Sequence, residues 1–215
     1  MDPQFFQMAL PQLLAGSWVT IKFTVLSAAI GMVIGLIVAI ARISRNPILR
    51  AVSTAYVEFF RGTPLLVQIF IIAFGIGQWI NVPDFLAGVI ALSINSGAYT
   101  SEIFRAGIQS IERGQMEAAR SLGMNYLQAM RYIILPQAIR RVLPPLANDF
   151  IAILKDSSLI SVLGVRELTQ MGVINRGRTF RGLETYNTVA SLYLSMTLTL
   201  SLFVKFIERR LRTAH

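Results

Sequence analysis

Five apolar stretches, each long enough for a helix to cross the hydrocarbon of a bilayer, take up most of this chain. They run from about Leu13 to Ile40, Tyr56 to Trp79, Pro83 to Phe104, Val142 to Val165 and Thr188 to Ile207. Only the short turn Asn81-Val82-Pro83-Asp84 separates the second from the third. Lipid offers no water to backbone N–H and C=O groups, so such stretches must satisfy those groups internally, as helices. The sequence therefore predicts an all-α membrane protein, five transmembrane helices in a single domain over residues 1–215.

Composition supports a membrane protein and excludes several other classes. The chain is 54% hydrophobic and only 14% charged, unlike a soluble domain. Its net charge of +9 raises the question of nucleic acid. The cations, however, sit in short clusters between apolar stretches, with no interleaved aromatics, so lipid rather than nucleic acid is the expected surrounding. The chain has no cysteine, which removes disulfides and Cys-based metal sites. The start, MDPQFFQMAL, lacks a basic leader region, so no cleavable signal is expected.

The cationic clusters also orient the chain. Arg42, Arg45 and Arg50 follow the first stretch. Arg105, Arg113, Arg120, Arg131, Arg140 and Arg141 fill the third connection, and Lys205, Arg209, Arg210 and Arg212 close the chain. All three groups fall on the cytoplasmic side if the amino terminus is outside and the carboxyl terminus inside. The opposite side carries Arg166, Arg176, Arg178 and Arg181 in one longer loop. Lys22 lies near the outer end of the first stretch, where it can snorkel. Two ridges of small residues, Ser27-Gly31-Gly35-Ala39 and Ser191-Ser195-Thr199, predict close helix approach, mainly within the subunit.

The cytoplasmic connection, about residues 106–141, is unlike the rest. Gly114 and Gly123 bracket a short amphipathic helix from Gln115 to Leu122, and Gly123 suits the left-handed residue that ends a helix. Asn125 can cap a second helix, expected to stop before Pro136. Glu117 and Arg120 can pair at i, i+3, while Ala118 and Ala119 keep the face flat. Such a knob suits a groove in a partner. An ordinary surface helix with Met116, Leu122, Leu127 and Met130 in lipid is the alternative.

Residues 117–136, EAARSLGMNYLQAMRYIILP, carry Glu-Ala-Ala, three residues, Gly, nine residues, Ile, one residue, Leu-Pro. This spacing resembles the signature loop of membrane subunits of ATP-binding-cassette (ABC) importers. YVEFFRGTPLLVQ, YTSEIFRAGIQSIERGQ and LPPLANDFIAILKDSSLISVLGVREL extend the resemblance to permeases of polar amino acids, the histidine, glutamine and arginine type. The resemblance implies an ABC type I importer permease fold whose knob, with Glu117, Ala118, Ala119, Arg120 and Gly123, is the coupling helix. It also implies a second permease copy, identical or related, and two cytoplasmic ATP-binding subunits. An extracytoplasmic binding protein would deliver an amino-acid substrate at a bacterial or archaeal cytoplasmic membrane. The chain contains no G-x-x-x-x-G-K-[ST], so ATP and Mg belong on the partner ATPase, and no cofactor or enzymatic activity is expected here.

Charges inside spans are costly and often mark a path. Glu58 and Arg61, Glu102 and Arg105, and Asp149, Lys155 and Asp156 are the candidates. Asn95, Tyr99 and Glu102 share one helical face, a stripe suited to the ammonium and polar tail of an amino acid. Glu102 is expected to be the main anion, favouring basic amino acids, although Arg105 one turn away is positioned to neutralise it. Asp156 and Ser158 lie where a break in the fourth span would offer backbone groups to a ligand. A passive homo-oligomeric channel and a permease for glutamine or another polar amino acid remain alternatives. A membrane-embedded enzyme lacks its residues, the one histidine being His215.

Overall fold

The computed structural model of the protein describes the backbone of residues 3–212 and the side chains of residues 7–206. Met1 and His215, on which the placement of the two ends turns, lie outside the described residues, as do the side chains of Arg209, Arg210 and Arg212. Nine α-helices follow one another, joined by π and 3-10 turns, with no strand among the described residues. They are α1 (Pro3–Ile43), α2 (Pro47–Gly62), α3 (Leu65–Phe70), α4 (Asp84–Gln109), α5 (Arg113–Ser121), α6 (Tyr126–Ala129), α7 (Leu135–Asp156), α8 (Leu168–Thr179) and α9 (Gly182–Arg212).

The spine is the α1–α4 pair. Ser27 and Ala39 are fully buried, and Gly31 and Gly35 lie directly against α4. A Cβ on Gly31 would meet Ser96 Oγ at 2.7 Å, and one on Gly35 would meet Thr100 Cβ at 2.7 Å. Only glycine admits so close an approach, as the small-residue ridge predicts. The core around this seam gathers Phe23 of α1, Ile69 of α3, Leu92 of α4, Ile153 of α7 and Ile160 beyond it.

The second ridge is different. Ser191, Ser195 and Thr199 are exposed on α9, and their hydroxyls donate to the carbonyls of Asn187, Leu192 and Ser195 in their own helix. They lie outside the cluster through which α9 packs on α1 and α8, made of Val189, Leu192, Tyr193 and Met196, and Ser195 and Thr199 line a groove facing α1 and α7.

Two expected spans and one connecting helix differ in the structure. The stretch from Tyr56 to Trp79 is not one helix but α2 and α3, bent by 107°. Pro64 lacks an N–H and drives Thr63 into extended backbone (φ −116°, ψ 147°), which stops α2. The freed carbonyls are then satisfied by side chains. Thr63 Oγ1 donates to Phe59 at 2.8 Å, and Gln68 Nε2 donates to Phe60 at 2.9 Å and to Thr63 at 3.1 Å.

The fourth span keeps α geometry only to Asp156. It tightens into a 3-10 segment, Ser157–Leu163, closed by Gly164 at φ 75°. The helix that Asn125 caps, in turn, does not stop at Pro136. A π turn, Met130–Ile134, carries α6 straight into α7, and the Leu135 N–H reaches back to the Met130 carbonyl. A proline ring clashes with the carbonyl four residues earlier in a regular helix, and the wider π turn relieves that crowding.

Candidate functional site

Where the α2–α3 bend faces α4 and α7, a cleft of about 240 Å3 opens. Thr63 and Pro64 supply its edge, Asn95, Ser96 and Tyr99 one wall, and Asp149 and Asp156 the opposite wall. The two aspartates stand seven residues apart on α7, two turns along one face. Asp149 Oδ2 accepts from Thr100 Oγ1 at 3.0 Å and from Ser96 Oγ at 3.4 Å. Neither carboxylate has an ion pair among the described residues. A cation lies beside the cleft: the Arg61 guanidinium sits 5.3 Å from the centre of the Tyr99 ring. The cleft thus offers anions on one wall and a cation at its rim.

The residues expected to line a path divide into several groups. Tyr99 and Asp156 line the cleft. Asn95 touches it, yet its amide also braces the helix bend: Nδ2 donates to Phe60 at 3.2 Å and to Gln68 Oε1 at 2.9 Å. Ser158 is partly covered in the 3-10 segment, outside the cleft lining. Glu58 is exposed on α2 and unpaired with Arg61, which turns to Tyr99 instead.

Glu102 is not the free anion that the helical stripe suggests. Its carboxylate is held by Arg42 of α1 and by Arg105. It lines a separate cleft with Ser110 and Arg141, and the stripe from Asn95 to Glu102 is split between the two clefts. The reason is the α1–α4 seam, which brings Arg42 to Glu102 from 60 residues away, beyond any spacing rule along α4.

The α5–α6 knob forms as expected at its end and differs at its start. Gly123 adopts φ 86°, its N–H bonding to the Arg120 carbonyl at 3.0 Å and that of Met124 to Ala119 at 3.2 Å. That double closure is the usual left-handed stop of a helix. Asn125 and Gln128 then exchange side-chain and backbone hydrogen bonds, each 2.9 Å, in a capping box. The helix begins at Arg113, so Gly114 lies in its first turn rather than before it.

The surface of the knob is simpler than expected. Glu117 and Arg120 are exposed and form no ion pair with each other, Ala118 is exposed, and Ala119 is tucked away. Met116 and Met130 pack on Ile111, Ile134 and Ala138 rather than facing lipid, while Leu122 and Leu127 stay exposed.

One acid named among the intramembrane charges gains its partners only in the fold, and a second escaped the sequence reading. Asp149 was one charge among several in the fourth span until folding set it opposite Thr100. Glu167, in the connection just before α8, is fully buried. It accepts from the N–H groups of Thr169 at 2.8 Å and Gln170 at 2.7 Å, capping α8, and from Tyr193 Oη at 3.0 Å. Burial pushes its carboxyl above the ordinary range despite these bonds. No local pattern marks it, because its partners Thr20 and Tyr193 come from α1 and α9.

Comparison with known proteins agrees with this architecture. The profile of the family "Binding-protein-dependent transport system inner membrane component" matches residues 31–213. The glutamine transport system permease protein GlnP of Escherichia coli (strain K12) is 42% identical over 207 residues, covering 95% of this chain and 94% of its own. The probable glutamine ABC transporter permease protein GlnM of Bacillus subtilis (strain 168) is 41% identical over 201 residues, 93% of each chain. A solved structure of an amino acid ABC transporter with histidines superposes with TM-score 0.91 at 46% identity, over 98% of this chain and 100% of that one. The MetNI methionine ABC transporter, at 22% identity and TM-score 0.81 over 98% of this chain and 99% of that one, shares the fold. Helix order, signature loop and these relatives converge: the chain belongs to the family of binding-protein-dependent transport system inner membrane components, with the ABC type I importer permease fold.

Proposed function

We propose that this chain is the transmembrane subunit of an ATP-driven importer of polar amino acids. The observation that carries the reading is the cleft at the helix bend. Asp149 and Asp156 face it and Arg61 stands at its rim, so it offers opposite charges to the ammonium and carboxylate of one zwitterion. A helix bend at bilayer depth is tolerated where it lines a cavity, and such bends recur at transporter sites. The relatives named for glutamine and the transporter with histidines support an amino-acid substrate.

A second reading within the class concerns the side chain. Two aspartates without ion partners leave one to spare once the α-ammonium is bound, which favours arginine, lysine or histidine over glutamine.

In this proposal the α5–α6 knob, with Glu117, Ala118, Ala119, Arg120 and Gly123, couples to a cytoplasmic ATPase that holds ATP and Mg. Two permease chains, two ATPase subunits and an extracytoplasmic binding protein complete the machine. The amino terminus lies outside and the carboxyl terminus in the cytoplasm of a bacterial or archaeal cell.

The test is reconstitution in liposomes with the ATPase and binding protein, measuring uptake and ATP hydrolysis over a panel of amino acids. Stimulation by basic amino acids supports the second reading, and stimulation by glutamine alone rejects it. Amino-acid flux without ATP would instead make the protein a passive channel.

A further inference from the structure

Behind one wall of the cleft, and outside its lining, Gln68 of α3 is 2% exposed. Its Nε2 donates to the carbonyls of Phe60 at 2.9 Å and Thr63 at 3.1 Å, and lies 2.9 Å from Thr63 Oγ1. Carbonyls only accept, and Thr63 Oγ1 gives its own hydrogen to Phe59. The Gln68 amide therefore has one orientation, nitrogen to the bend and oxygen to α4. There its Oε1 accepts from Asn95 Nδ2 at 2.9 Å.

This fixes Asn95 in turn. Its amide hydrogens go to Gln68 Oε1 at 2.9 Å and to the Phe60 carbonyl at 3.2 Å. A flipped amide would set oxygen against oxygen at both places. Asn95 Oδ1 accepts no hydrogen bond among the described residues, where no side-chain N or O atom is both unbonded and sealed from solvent. It therefore opens onto the cleft that Asn95 lines.

The rest of the lining has the same polarity. Ser96 gives its hydrogen to Asp149, Thr63 gives its own to Phe59, and Pro64 has no N–H. Among the described side chains of the lining, only Tyr99 keeps a hydrogen that the fold does not use. Asn95 Oδ1 and the carboxylates of Asp149 and Asp156 are acceptors.

We propose that Gln68 sets the hydrogen-bond polarity of the cleft. By holding the Asn95 oxygen towards the substrate, it makes the site favour amino acids whose side chains end in N–H and disfavour those ending only in acceptors. Gln68 touches no substrate, so it is a positioning residue, and the proposal rests on the reading of this cleft as the amino-acid site. With its Gln68 anchor gone, the Asn95 amide can rotate and serve either kind of ligand.

The test is equilibrium binding to the purified permease–ATPase complex without the binding protein, whose own selectivity would mask that of the cleft. Glutamine and its γ-methyl ester, equal in charge and nearly equal in length, each displace a radiolabelled amino acid that the complex binds. The ester lacks a side-chain N–H. Wild type should prefer glutamine about fivefold or more, the scale of one hydrogen bond. Gln68→Met keeps the length without donor or acceptor and should bring that ratio close to one. Asn95→Leu should do the same, and the double variant should go no further, because both act through one oxygen. Gln68→Glu keeps an acceptor for Asn95 but loses the donors to the bend, so it should lower the thermal midpoint yet preserve the ratio. A wild-type ratio near one overturns the proposal. So does an unchanged ratio in Gln68→Met or, should that variant not fold, in Asn95→Leu. Equal loss of the ratio in Gln68→Met and Gln68→Glu overturns it too, since that is the pattern of a mere brace. A wild-type complex that binds no amino acid overturns the reading of the cleft itself.

Discussion

Arg42, near the carboxyl-terminal end of α1, and Glu102 of α4 form an ion pair that clamps the two helices of the spine, and Arg105 completes it. Glu102 is thus a structural anion. Glu102→Gln leaves Arg42, 13% exposed, without its partner and should cost about 2 kcal/mol. The thermal midpoint in detergent should drop, and uptake should fall equally for all amino acids. A selective loss of arginine and lysine uptake would contradict this assignment.

Asp149→Asn and Asp156→Asn test the cleft. Asparagine preserves the shape and the hydrogen bonds from Thr100 and Ser96 but removes the charge. Each change should lower uptake about tenfold or more, the scale of one lost charge-assisted contact. Co-purification with the ATPase should be unaffected. Normal transport in both variants would move the path elsewhere.

Glu117→Lys on the exposed face of α5 should abolish uptake while insertion stays normal. A cysteine at Ala118 in this cysteine-free chain should crosslink to a cysteine on the ATPase, and crosslinking only to lipid would refute the coupling role. Gly123→Ala, at φ 86°, should destabilise the knob by about 1 kcal/mol through backbone strain alone.

The α1–α4 seam should be intolerant of bulk. Gly35→Val would drive methyl groups into Thr100 and should cost about 1–3 kcal/mol or prevent insertion. Gly62→Ala, with open space around it, is the matched control and should be silent. Expression level and thermal midpoint compare the two.

Burial raises the Glu167 carboxyl above its unfolded value, so the folded chain holds this proton more tightly. Its contribution to stability is therefore complete below the ordinary carboxylate range and declines as pH rises through the raised folded value. Glu167→Gln should flatten that decline in a plot of thermal midpoint against pH. An identical slope in the variant would show that other groups set it.

The sequence foretold helices, the first small-residue ridge and the Gly123 stop, because those depend on neighbours within a few residues of each other. It missed what depends on distant ones. Arg42 reaches Glu102 across two helices, and Asp149 gains Thr100 as a hydrogen-bond donor only when α4 is brought opposite α7. Pro64 and Pro136 show the limit from the other side. The same residue type broke one helix by 107° and left the other continuous, depending on whether the preceding turn had room to widen.

The π turn at Met130–Ile134 amounts to one surplus residue lodged in a helix that otherwise runs from α6 into α7. Each residue of an α-helix turns the chain by about 100°. Removing one residue there would return the backbone to regular pitch and swing α5 by roughly that angle about the axis of α7. The compass bearing of the α5–α6 knob is therefore set by a single residue of chain length, and a one-codon deletion would turn it away without disturbing any residue of its surface.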